Sequence, residues 1–225
     1  IQAVTELVDN VVIGAGAKIE DIRKFCVEKL PALADMLQLF GAQQIRNKAT
    51  IGGNLATASP IGDVLPVLFA YNADVVIVGD TERVVNINDF VIGYRKTVLK
   101  ENELIKAIIL PKPSVNKVVK SYKISKRTNL DISTVSAGFC FEFDGKTIKS
   151  VVLAFGGMAE RTKRALKTEE FLRGKNFDLS TVEAAIEILE NEFTPLSDAR
   201  SSKEARIIMA KNLLLKFFQD NSYFE

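Results

Sequence analysis

The chain contains no histidine and no tryptophan, and two cysteines among its 225 residues. Without histidine there is no Ser-His-Asp or Cys-His nucleophile system, and the commonest zinc sites are excluded. Cys26 and Cys140 are too few to ligate the usual four-cysteine iron–sulfur cluster. Far apart in sequence, they are expected to be buried, reduced thiols of a cytoplasmic protein, a disulfide between them being the other reading. No apolar run is long enough to span a membrane. The opening residues IQAVTELVDN show neither a secretory signal nor an initiator Met. Lys and Arg number 30 against 28 Asp and Glu, interspersed, for a formal charge of +2. Such a surface points to neither nucleic acid nor an anionic membrane as a partner. Internal repeats and low-complexity tracts are also absent.

What is present is material for a core. Apolar residues make up 47% of the chain, and its length suits one large domain or two small ones. Residues 11–19, VVIGAGAKI, predict a short strand or hairpin. A GxGxxG reading of Gly14 and Gly16 fails for want of a third glycine, which leaves a turn or bulge. Helical spacing runs through Ile22, Phe25, Cys26 and Leu30, then through Leu33, Met36, Leu37 and Phe40. Pro31 divides these two helices. A further helix is expected at about 62–72, followed by strands at 74–79, 83–87 and 103–110. Pro111 and Pro113 mark a boundary, giving domains 1–112 and 116–225. Beyond it come a strand at 117–126 and a hairpin turning at Asp144-Gly145. Helices follow at about 164–174, 180–192 and 202–219, with Asp178 or Ser180 capping the second and Ser201 or Ser202 the third. The tail SYFE is expected to fray.

The most informative segment is 45–66, IRNKATIGGNLATASPIGDVLP. Gly52 and Gly53 allow close backbone approach, and successive N–H groups at a turn or helix start suit a phosphate. With the hydroxyls of Thr50, Thr57 and Ser59 nearby, the pattern suggests a nucleotide diphosphate held by amides and short hydroxyls. Taken residue by residue, blander readings stand beside this one. The glycine pair also fits a tight turn between a strand and a helix. Asp63 fits an N-cap, Phe40 and Ile105 fit a core, and Lys123 fits a solvated strand position.

The whole string closely resembles the flavin-binding segment of the xanthine dehydrogenase family of molybdenum hydroxylases. YRKT at 94–97, YKISKR at 122–127 and LAFGGMAERTKRA at 153–165 agree with that family in order and spacing. The resemblance runs from about Val12 to Phe218. It implies an α+β fold: the second lobe of a vanillyl-alcohol-oxidase-type FAD-binding domain, then a carbon monoxide dehydrogenase flavoprotein C-terminal-like domain. It implies FAD held by Thr50, Ile51, Gly52, Gly53, Asn54 and Thr57, with Asp63 accepting from ribose or ribityl hydroxyls. Phe40 would lie beside the ring system, and Ile105 and Lys123 would complete one open groove. No residue of the chain is expected to act as a general acid or base. Molybdopterin and 2Fe–2S clusters are implied in partners, a molybdopterin-binding large subunit and an iron–sulfur small subunit, with NAD as the electron acceptor.

Two departures qualify the resemblance. Asn129 stands where the family has an acid near the flavin ring, and one extra residue precedes Ile132. Charge at that place bears on the choice between NAD and O₂. The family also has an earlier lobe that wraps the far side of the diphosphate. This chain is expected to begin after that lobe, and therefore to bind FAD weakly by itself. Tyr94 reads as a surface-loop residue or a ring-edge contact. Residues 155–162 read as a structural corner, with 161–164 opening a helix. The alternatives are a flavin-free assembly or binding module of the same fold, or a carbon monoxide dehydrogenase-like medium subunit.

Overall fold

A computed structural model describes residues 2–127 and 130–221. Asn129 and the terminal SYFE lie outside the described residues. The first part of the chain builds a five-stranded antiparallel sheet with a helical layer. Strands β1 (Val4–Glu6) and β2 (Asn10–Gly14) form its first hairpin. Helices α1 (Ile19–Cys26) and α2 (Pro31–Gln38) follow. Pro31 divides the two helices as expected, and does so from the first position of α2, where the helical N–H needs no partner within the helix. Next come α3 (Gln43–Arg46), α4 (Ile51–Thr57) and α5 (Val64–Ala70). The chain then enters β3 (Asp74–Val78), β4 (Glu82–Asn86), α6 (Ile87–Phe90), the small hairpin β5 (Val91–Gly93) and β6 (Lys96–Thr97), and β7 (Leu104–Pro111). Sheet order is β1-β2-β7-β3-β4. The last strand in sequence thus fills the centre, Ile108 pairing with Ile13 on one side and Val75 on the other.

The second part is a four-stranded antiparallel sheet, β8 (Lys117–Ile124), β9 (Val135–Asp144), β10 (Thr147–Gly156) and β11 (Lys163–Arg164), followed by α7 (Leu166–Leu172), α8 (Leu179–Glu190) and α9 (Lys203–Asn221). Residues 163–164 pair with β10 at Phe155 and Ala154, so they do not open the helix expected there. The hairpin tip falls one residue later than expected. Asp144 pairs with Thr147, and Gly145, at φ +58°, is the first of the two turn residues. Asp178 caps α8 by accepting from Thr181 N at 2.8 Å, and Ser202 caps α9 by accepting from Ala205 N at 3.2 Å.

Side-chain size on β9 explains how the two parts join. Val135, Ala137, Phe139 and Phe141 face one core, against α8 and α9, with Phe155 and Phe217 among them. The alternate residues Ser136, Gly138 and Cys140 are small. They leave room for α5 to lie on the sheet. A Cβ on Gly138 would stand 2.1 Å from the Pro66 carbonyl oxygen. Helix α5 therefore belongs to both layers, packing with the first core on one side and the second sheet on the other. This placement brings Asp63, at the N-terminus of α5, against β8.

Both cysteines are free and buried. Burial pushes the Cys26 thiol up to about 12 and the Cys140 thiol to about 11, which leaves both protonated and unreactive at neutral pH. Among the described residues, no helix is long and apolar enough to cross a membrane, and no group of three or more His, Cys, Asp or Glu could hold a metal ion.

Candidate functional site

The segment 50–54 is the first turn of α4 rather than a loop. Its amides already have partners. Ile51 N donates to Ala17 O at 3.3 Å and Gly52 N to Ala15 O at 2.9 Å. Gly53 N donates to Thr50 Oγ1 at 3.2 Å, the helix cap. A diphosphate at these amides would have to share them. Gly52 has a different reason to be glycine: a Cβ there would fall 2.6 Å from Ala15 Cβ and 2.8 Å from Ala15 O. It lets α4 dock on the strand-to-helix turn 15–17. Gly53 differs again, since a Cβ there would meet only Thr50 Oγ1, at 3.1 Å.

Beside Gly53 runs a cavity of about 360 Å³. Its small residues are Ala15, Gly16, Gly52, Gly53 and Ala56, and Leu99, Leu104 and Ile105 supply apolar side chains. Glu103 also lines it, and Arg83 takes both of its carboxylate oxygens at 2.9 and 2.7 Å. The Arg83 guanidinium and, next, the Lys100 N–H hold the Glu103 carboxyl down to about 2. Thr57 Oγ1 turns back to Gly53 O at 2.8 Å. Asn54 Oδ1, on the same helix, is buried and meets no donor among the described residues. An orphaned buried acceptor is costly unless a ligand or water supplies a donor.

Asp63 and Lys123 form a second group. Lys123 Nζ donates to Asp63 Oδ2 at 2.7 Å and to Leu39 O at 3.0 Å, and Ser133 Oγ donates to Asp63 Oδ1. The Lys123 side chain is 3% exposed, so it is not a solvated strand lysine. Asp63 stands at the N-cap position of α5, yet its side chain makes no cap bond; both oxygens are engaged elsewhere. Phe40, next to the Leu39 carbonyl, packs half-buried against the first core. The structure thus gathers Gly52, Gly53 and Ile105 around one cavity, and Asp63, Lys123 and the end of α2 around another polar cluster. Phe40, Thr50, Ile51, Asn54, Thr57, Asp63 and Lys123 are not among the residues lining the cavity. Tyr94 and Arg95 make the tip of the β5–β6 hairpin, Arg95 at φ +49° and Tyr94 exposed.

Sequence reasoning missed three contributors. Residues 14–16 read as no more than a turn in sequence, yet Ala15 and Gly16 line the cavity. Ser133 carried no signal. Arg46 carried none either, because its acceptors are the distant Glu20 carboxylate and backbone carbonyls that sequence does not mark.

A cradle of small residues, an orphaned acceptor and a paired buried cation fit a flat, hydroxyl-bearing nucleotide cofactor, and FAD offers the ring surface together with the O–H and N–H donors. Comparison with known proteins agrees. Residues 1–113 match the family described as the FAD binding domain in molybdopterin dehydrogenase, and residues 120–221 match the CO dehydrogenase flavoprotein C-terminal domain. The chain belongs to this family of FAD-binding domains, that of the xanthine dehydrogenases. Xanthine dehydrogenase of Oryza sativa subsp. japonica is 31% identical over 93% of this chain and 17% of its own length. Nicotinate hydroxylase of Emericella nidulans is 34% identical over 92% of this chain and 17% of its own. The chain thus spans 17% of the length of these curated relatives. Among solved structures, a carbon monoxide dehydrogenase from Hydrogenophaga pseudoflava that lacks the Mo-pyranopterin moiety superposes with a TM-score of 0.90 at 28% identity, over 96% of this chain and 76% of that one.

Proposed function

We propose that the chain is the FAD-binding electron-transfer component of a xanthine dehydrogenase-like molybdenum hydroxylase. It would receive electrons from iron–sulfur clusters and pass them to NAD or another acceptor. Molybdopterin and the 2Fe–2S clusters would reside in partner subunits or domains, a molybdopterin-binding large subunit and an iron–sulfur small subunit. A cytoplasmic location and two domains, 1–112 and 116–225, belong to the same reading. The observation that carries it is the Gly53 cavity in a chain of this family; the unpartnered Asn54 amide oxygen lies on the same helix.

In this reading Gly52 and Gly53 keep the cavity open to a ring or ribose, and Asn54 Oδ1 accepts from a cofactor donor. Thr50, Ile51 and Thr57 shape the turn that presents them. Asp63 and Lys123 are a fixed charge pair whose spare lone pairs and protons can meet ribityl hydroxyls, and Phe40 and Ile105 supply apolar contact. Bound FAD supplies hydride and single-electron chemistry that no side chain here can provide. The protein's part is to bind, orient and tune.

The test is flavin content. Purified from its own cell, the protein should be yellow, with about one FAD per chain released on denaturation, and should co-purify with iron and molybdopterin. Colourless protein after flavin supplementation would favour the assembly module instead.

A further inference from the structure

Four successive backbone carbonyls, from Gln38 to Gly41, meet two buried cations. Arg46 Nη1 lies 3.3 Å from Gln38 O, 3.2 Å from Phe40 O and 3.1 Å from Gly41 O. Lys123 Nζ takes the remaining one, Leu39 O, at 3.0 Å. These carbonyls close the C-terminal end of α2. Such ends leave acceptors without intrahelical donors and favour positive charge. Gly41, at φ +49°, then turns the chain away; a Cβ there would press on the Ile45 side chain.

Arg46 is itself held firmly. Its Nε donates to Glu20 Oε2 at 2.7 Å, and Arg23 Nη2 takes Glu20 Oε1 at 2.7 Å. Arg46 is 8% exposed and Glu20 3%. A buried ion pair is expensive to build and is often no more stabilising than apolar packing of the same volume. Plain packing therefore does not account for it. What an apolar side chain could not do is draw three carbonyl oxygens to one point, which the two N–H groups of Arg46 Nη1 do by sharing them. One of those carbonyls belongs to Phe40.

We propose that Arg46 is a positioning residue of the flavin site: by locking the backbone at Phe40, with Glu20 holding the guanidinium, it sets the plane of the Phe40 ring against the bound isoalloxazine. The proposal rests on the reading that FAD binds here with Phe40 beside its ring. Lys123 anchors the same turn through Leu39 O and reaches Asp63, so the turn 38–41 couples the aromatic contact to the charged one.

The test is a double-mutant cycle on the holoprotein with Arg46→Lys, Phe40→Leu and both together. Visible absorption and circular dichroism of bound FAD, FAD affinity and the melting temperature of the apoprotein are read for each. Phe40→Leu should shift the flavin bands and weaken FAD by up to about tenfold, the scale of one aromatic contact. Arg46→Lys should shift the same bands in the same direction, and the double variant should add little to Phe40→Leu alone. Additive effects, or Arg46→Lys with wild-type bands and affinity, would overturn the proposal while leaving the site reading intact. A silent Phe40→Leu in fully flavinylated protein would overturn both. If Arg46→Lys does not fold, Glu20→Gln carries the same comparison, with a smaller shift of the same bands expected and unchanged bands contradicting the role.

Discussion

Lys123 Nζ sits 2.7 Å from Asp63 Oδ2, with the two side chains 3% and 11% exposed. The pair joins β8 to the start of α5, and so ties the part of the chain matched by the FAD-binding family to the part matched by the flavoprotein C-terminal family. Removing one member of a buried pair strands the other and typically costs about 3–5 kcal/mol. Lys123→Met should lower unfolding stability by about that much in urea titration. Lys123→Met with Asp63→Asn should lose clearly less than the sum of the single variants. A Lys123→Met protein within 1 kcal/mol of wild type, on the same scale of effects, would mean that the pair is not a structural tie.

The adjacent glycines should answer differently to alanine. Gly52→Ala drives a Cβ into the backbone and side chain of Ala15, an overpacking error of about 1–3 kcal/mol. Gly53→Ala meets only the Thr50 hydroxyl and gains about 0.5–1 kcal/mol of helix propensity in return. Its apoprotein stability should stay near wild type. Thermal melts of the two variants side by side settle the point, and equal losses would count against the distinct roles given to the two positions.

Acid sensitivity should report on Glu20. Hydrogen bonds from Arg23 and then Arg46 hold its carboxyl at about 2, below the ordinary 4.5. A group depressed on folding contributes stability that is complete above its unfolded pKa and is lost as pH falls through the folded one. Wild type should therefore melt higher than Glu20→Gln at pH 7, and the gap should narrow from about pH 4.5 toward pH 2. A gap that stays constant over that range would show that the charge on Glu20 is not what stabilises.

The fold was readable where periodicity and punctuation agree. Strands 74–79, 83–87 and 103–110, the β9–β10 hairpin and the cap at Asp178 all follow from β-branched runs, a turn glycine at 145 and a capping side chain. The short elements were not readable. Residues 163–164 become a strand because β10 offers them a free edge, which no local signal announces. The site was legible as a set of residues and poorly legible as geometry. Gly52 and Gly53 look alike in sequence and both line the cavity, but only Gly52 is held to glycine by its packing on Ala15. Asp63 resembles a cap and is an ion-pair partner, because a contact 60 positions away in the chain decides its role.

In the proposed site FAD lies across the Gly53 face of α4, and Gly53→Val probes that placement. FAD is titrated into the deflavinated holoprotein and the variant, followed by the visible spectrum and by the melting temperature, which a ligand specific to the folded state must raise. Wild type should bind FAD saturably, with a rising melting temperature. The variant should melt like wild type within a few degrees without FAD, yet bind it at least about tenfold more weakly, a loss of about 1.4 kcal/mol. Wild-type affinity in Gly53→Val would mean that the cofactor lies elsewhere.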